Sequence, residues 1–243
     1  MIADMAHGAR FLLSGFRIIL RPGLRRFVAI PALINAVIFS AVIALGALYL
    51  DTLIERFIPE WLGWIEFILW PLFALMSLII SYYTFTLVAN LLASPFNDRL
   101  SEKVAARLGK APDPVDRGIL GDVAESVAAE IRKWLYFAFL AFIVLVLWLF
   151  PLTSLLAPFA WILLGAWMMG FEYIAYPLAN QRMKFREQRA WMHDHRALVV
   201  GFGFAVLGAT LIPILNFFVM PAAVAGGTQL WASTVDRAKP SLP

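Results

Sequence analysis

Arg21-Pro22-Gly23-Leu24-Arg25-Arg26-Phe27 is the segment whose residue types and spacing point most directly to chemistry. Proline suits the first turn of a helix. A helix is therefore predicted to begin here, with unpartnered N–H groups and the positive end of its dipole leading. Gly23 lets an oxyanion approach the backbone. Arg25 and Arg26 add forked donors matched to tetrahedral oxyanions such as sulfate or phosphate. On residues alone this is a candidate anion site at the mouth of a helix. The same arginines would also orient a first span and snorkel to lipid headgroups, and the motif alone leaves both readings open.

A second feature is Ala93-Ser94-Pro95-Phe96-Asn97-Asp98-Arg99. Proline near the end of a span kinks it and frees a carbonyl. Beyond it, Asn97, Asp98, Arg99, Glu102 and Arg107 alternate in charge. In an oligomer Asn97, Glu102 and Arg107 are candidates for lining a pore or vestibule, where paired charges let an anion pass without holding it tightly. A solvated amphipathic helix carries the same pattern. Glu172 interrupts two apolar runs and is expected at a mouth or in the interface, with Arg182 as a structural partner. His193 and His195 are two apart and so do not share a helix face. They are assigned to a surface loop, and no metal site is expected. There are no cysteines, which excludes disulfides, thiolate metal sites and a cysteine nucleophile. No phosphate-cradling glycine loop, HExxH or GxSxG occurs. The residues support no enzyme and imply no cofactor.

These residues must be positioned by a mostly apolar chain. Hydrophobic residues make up 62% of the 243 and charged residues 15%, too few to coat a soluble globule. The net charge of +4 comes from basic residues beside apolar runs, which fits cytoplasmic loops and anionic headgroups better than nucleic acid. Four stretches lack any charge: 27–50, 67–97, 134–171 and 197–235, of 24, 31, 38 and 39 residues. A spanning helix needs about 20, so the chain is predicted to be a multi-pass membrane protein. No cleavable signal peptide is expected, and the first apolar helix should serve as insertion signal.

Loop charge sets the topology. Residues 1–26 hold five basic residues and one acid, and 51–66 hold four acids and one base. Basic residues stay in the cytoplasm, which puts the N-terminus inside and 51–66 outside. The segment 98–133 then lies inside, and so does 172–196, with five basic residues against three acids. Stretch 134–171 must therefore enter and leave on one side. Pro151 and Pro158 break it into arms of about 16 residues, or ~24 Å. Stretch 197–235 repeats the pattern, with a turn expected over Leu211–Asn216 and Met220-Pro221. The predicted fold is all-α: two long transmembrane helices (22–50 and 67–108, the second with a cytoplasmic extension) and two partly inserted helical hairpins (134–171 and 197–235). An N-terminal interfacial helix (1–21) precedes them, all in one integral membrane domain, 1–243. Two full-depth hairpins fit the charges equally well. Hairpin tips inside the bilayer need protein or a wet cavity around them, so an oligomer enclosing a polar path is expected. Within the extension Gly109 should stop a helix over 98–108, a loop follows over 110–116, and 121–133 should be helical.

Pro22-Gly-Leu-Arg-Arg-Phe27, Trp70-Pro71-Leu72, Ala93-Ser-Pro-Phe-Asn97, Tyr173, Tyr176-Pro177-Leu178, Lys184-Phe185, Ile212-Pro-Ile-Leu-Asn216 and Met220-Pro-Ala-Ala-Val224 together resemble the CysZ family of bacterial sulfate permeases. The resemblance runs along nearly the whole chain. It implies a homo-oligomer of the bacterial inner membrane that admits sulfate for cysteine synthesis. It also implies that Gly23, Leu24, Arg25 and Arg26 contact sulfate, and it places Glu102 and Arg107 in the pore region. Two other classes stay open on residues alone: an oligomeric membrane scaffold whose arginines grip lipid, and an interfacial enzyme acting on phosphate headgroups, for which no nucleophile or metal cluster is evident.

Overall fold

The computed structural model describes residues 1–57, 64–111 and 119–238. Among these residues the regular elements are α-helices: α1 (Ile2–Ile19), α2 (Arg26–Phe57), α3 (Glu66–Arg107), α4 (Ile119–Trp148), α5 (Pro151–Ser154), α6 (Ala157–Asn180), α7 (Phe185–Asp194), α8 (Arg196–Thr210) and α9 (Pro213–Ala238). The chain divides into two units, Arg26–Phe96 and Met1–Arg25 with Asn97–Pro243.

Arg26–Phe96 contains α2 and most of α3, helices of 32 and 42 residues in all. At 1.5 Å per residue they are ~48 and ~63 Å long, ample for a ~30 Å hydrocarbon core. Phe27, at the start of α2, meets Phe96 edge to face with centroids 6.3 Å apart. Further along α2, a Cβ at Gly46 would stand 3.1 Å from the Phe73 ring. Later residues of one helix meet earlier residues of the other, so the pair is antiparallel. Leu33, Val37, Leu45, Leu48, Phe67 and Leu75 are exposed, a surface suited to lipid and not to water. The helix expected from residue 22 begins at Arg26, and Pro22 stands in the preceding turn. Residues 58–63 of the expected outer loop, Glu60 among them, lie outside the described residues.

In the other unit, α1, α6, α8 and α9 pack through glycines. A Cβ at Gly203 of α8 would lie 1.8 Å from the Ala166 carbonyl oxygen of α6, and one at Gly15 of α1 would lie 2.0 Å from that of Ala222 on α9. Backbones at this spacing are the mark of small-residue helix packing in membranes, where apolar side chains gain little over lipid. Phe171, Ile174, Val199, Phe202 and Leu230 fill the space between the glycine contacts. The amphipathic stripe of α1 (Phe11, Leu12, Gly15, Ile18, Ile19) is buried where α1 packs on α8 and α9. The face assigned from sequence to the lipid interface is covered by protein.

The breaks between α4 and α6 and between α8 and α9 fall where proline predicts them, with arms of different length. α4 and α6 have 30 and 24 residues, not about 16, because the helices continue beyond the apolar stretch, α4 over the charged flank 119–133 and α6 through Glu172 to Asn180. Charge ends an apolar stretch but does not end a helix. The second break is confined to Leu211–Ile212. Asn216 and Met220-Pro221, expected in the turn, lie inside the 26-residue α9, since proline at position 213 is tolerated in a first helical turn. Ala128–Trp148 and Ala157–Asn180 are long and apolar enough to cross a membrane. Their exposed side chains, including Leu135, Phe139, Phe142, Phe159 and Ile162, make this a membrane protein. The Schellman turn that closes α3 fits the predicted stop: Gly109 has φ +70°, Gly109 N–H donates to Ala106 and Lys110 N–H to Ala105. The loop expected over 110–116 lies outside the described residues from 112 onward.

Candidate anion site

The turn from Leu20 to Arg25 follows the C-terminal end of α1. Arg21 N–H donates to the Ile18 carbonyl at 3.0 Å, and Leu24 N–H donates to that of Arg21 at 3.1 Å. Between them Gly23 takes φ +84°, a conformation that costs an L side chain roughly 1–2 kcal/mol. Leu24 is fully buried and anchors the turn, while Arg25 next to it is exposed. The ε N–H of Arg25 donates to the Leu20 carbonyl. An oxyanion would therefore be met by its η groups. Arg26 opens α2 with its guanidinium 5.3 Å from the Phe27 ring centroid, within cation–π range.

Arg107 reaches this turn from the last residue of α3. Its Nη2 donates to the Pro22 carbonyl at 2.7 Å, and a Cβ on Gly23 would stand 3.2 Å from the same nitrogen. Arg25 and Arg107 thus both donate to carbonyls of one short turn. The sequence placed Arg107 with Glu102 in a separate vestibule. Its partner lies 85 residues away, and no local pattern links the two.

The segment Asn97–Arg107 is held in place from two sides. Asn97 is buried and its Nδ2 donates to Tyr176 Oη of α6 at a long 3.4 Å. Asn180 Nδ2 stands at the same distance from the Asp98 carbonyl. Ser101 and Thr228 of α9 are fully buried, with their hydroxyls 2.9 Å apart. Thr228 donates to the Val224 carbonyl at 2.7 Å, so Ser101 must donate to Thr228. Lys110 forms an ion pair with Asp236. Glu102 is exposed. One turn earlier, burial first and the Glu102 charge second push the Asp98 carboxyl up to about 6.

Glu172 lies elsewhere. Its partner is Lys133 of α4 at 2.7 Å rather than Arg182, and Lys133 also holds Glu130 at 2.9 Å. The pair ties the interior of α4 to the interior of α6. Nearby, Trp167 Nε1 donates to Tyr136 Oη at 3.2 Å. His193 and His195 sit at the end of α7 rather than in an open loop. The His193 ring lies 5.3 Å from that of Trp167, and His195 stacks on Trp191 at 4.3 Å. Among the described residues no cluster of metal ligands occurs.

Residues 11–221, which contain the turn, the α3 extension and both helix breaks, match the sulfate transporter CysZ/etoposide-induced protein 2.4 family. The chain belongs to this family. A protein named sulfate transporter CysZ from Pseudomonas paraeruginosa is 40% identical over 231 residues, covering 92% of this chain and 94% of the relative. One of the same name from Pseudomonas fluorescens is 37% identical over 238 residues, 95% of each chain. Another, from Pectobacterium atrosepticum, is 35% identical over 243 residues, covering 97% of this chain and 88% of the relative. Membership covers the Gly23–Arg26 turn and Asn97–Arg107 alike, so both candidate regions fall within the family's common stretch.

Proposed function

We propose that this protein is a sulfate permease of the bacterial inner membrane, a multi-pass homo-oligomer that passes sulfate into the cytoplasm for cysteine biosynthesis. The observation that carries the reading is the match of 92% of the chain to a protein named for sulfate transport at 40% identity. The protein is a transporter and not an enzyme. No observation favours the scaffold role.

In this reading Gly23, Leu24, Arg25 and Arg26 receive the dianion. The buried Leu24 fixes the turn, glycine removes the side chain that would keep an oxyanion off the backbone, and the guanidiniums supply charge-assisted donors. Asn97 and Glu102 line the vestibule beyond, and Arg107 is bound to the turn itself. The two units act as one integral membrane domain, with both hairpins entering from the cytoplasmic side and stopping partway. The tip between α4 and α6 suits such a depth, because it satisfies carbonyls with its own hydroxyls. Thr153 Oγ1 donates to Leu147 at 2.6 Å and Ser154 Oγ to Pro151 at 2.9 Å. Carbonyls paired in this way meet the bilayer's demand for internal satisfaction. Subunit contacts and lipids cover what remains.

The test is labelled-sulfate uptake into vesicles that contain only this protein, with calorimetric sulfate binding alongside. Arg25→Ala combined with Arg26→Ala should lower binding and uptake by about tenfold or more, the loss of at least one hydrogen bond to a charged group, while chemical cross-linking still traps the oligomer. Uptake unchanged by the double substitution would sink the assignment.

A further inference from the structure

We infer that Arg107 is the positioning residue of the sulfate site, acting through the Pro22 carbonyl rather than as an independent lining group of a vestibule. The inference rests on the reading of Gly23–Arg26 as the sulfate-receiving turn. Three observations carry it. Arg107 Nη2 donates to the Pro22 carbonyl oxygen at 2.7 Å. The guanidinium lies so close over Gly23 that a Cβ there would be 3.2 Å from Nη2, tight for a contact and added to the cost of φ +84°. The helix that delivers Arg107 is itself fixed, with Leu100, Ser101, Val104 and Ala105 buried and Ser101 bonded to Thr228.

The physical consequence concerns charge. A carbonyl oxygen carries partial negative charge, and Pro22 presents one in the turn that must greet a dianion. A guanidinium bound to it neutralises that charge and adds a positive field. It also holds the turn in the one shape that leaves Arg25 with its ε N–H on Leu20 and its η groups for the ligand. Arg107 therefore works by way of the turn, and its effect depends on Arg25 being there to be positioned.

The experiment is calorimetric sulfate titration of the full chain in detergent, with vesicle uptake as a second readout. Arg107→Ala should weaken sulfate binding about tenfold, the scale of one lost charge-assisted hydrogen bond. Arg107→Lys keeps a cationic donor within reach of the carbonyl and should restore most of the affinity. Adding Arg107→Ala to Arg25→Ala should change little, since residues acting as a unit are non-additive. Native affinity in Arg107→Ala, no rescue by lysine, or losses that multiply in the double variant would each overturn the role while leaving the sulfate site standing. Native affinity in Arg25→Ala would instead overturn the site reading itself. If Arg107→Ala fails to give a dispersed oligomer, Arg107→Gln replaces it. Glutamine, shorter and neutral, should lose what lysine retains, and equal affinity of the two would overturn the role.

Discussion

Asp98 is the residue whose ionisation most directly tracks the packing of the α3 extension. Its carboxyl is pushed from 3.8 to about 6 by burial and by the Glu102 charge. Between those two values the folded protein holds a proton that the unfolded chain has released, so stability falls as pH rises through the window. The thermal midpoint of the detergent-solubilised protein should drop between about pH 4 and pH 6. Asp98→Asn should flatten that slope and raise the midpoint above pH 6; an unaltered slope in the variant would assign the dependence to another group. None of this is visible in the sequence, where Asp98 is one member of an alternating charge run. The start of a helix just after Pro22-Gly23 was legible, because proline and glycine constrain the backbone wherever they stand. The contact between Arg107 and Pro22 was not, because it depends on how deeply Leu100, Ser101 and Val104 seat the end of α3.

Helix ends were written in local chemistry and helix neighbours were not. Gly109, Pro151 and Pro158 mark a stop and a break, since each constrains backbone torsion at its own position. The covering of α1 by α8 and α9 depends instead on where glycines from distant segments meet. Gly15 reads in sequence as one member of an amphipathic stripe, and nothing local marks it or Gly8 as a contact point. In the fold they are the points at which α1 touches the backbones of Leu198 and Ala222. This contrast predicts two opposite outcomes for one kind of substitution in one helix. A Cβ at Gly203 would lie 1.8 Å from the Ala166 carbonyl oxygen, while nothing stands within 4 Å of one at Gly208. Gly203→Ala must push α8 off α6 and should cost about 1–3 kcal/mol or more. Gly208→Ala adds only helix propensity and should gain about 0.5–1 kcal/mol. Chemical denaturation in a single detergent checks both, and equal effects would contradict the close packing of α6 and α8.

At the scale of the whole molecule the question is what drives a dianion into a cell that is negative inside. The opposing energy is about 2.3 kcal/mol per charge per 100 mV, hence about 2.3 kcal/mol for two charges at 50 mV. The four apolar stretches contain no acidic residue, so none of them offers the carboxylate relay that proton-coupled carriers place within their helices. Sulfate permeation is therefore expected to be uncoupled, driven by the sulfate gradient itself. The expectation is quantitative. At 1.4 kcal/mol per decade, an imposed inside-negative potential of about 50 mV should lower the equilibrium ratio of internal to external sulfate about 45-fold in vesicles holding only this protein. Cotransport of one proton would halve the charge moved and reduce the factor to ~7, and two protons would abolish the dependence. Measuring the plateau of labelled sulfate at several clamped potentials, at equal pH on both sides, therefore reads the charge carried per cycle. A slope corresponding to fewer than two charges would show that protons travel with the anion and that the path includes a titratable group outside the apolar stretches. Asp98 at the end of α3 would then be the first to replace.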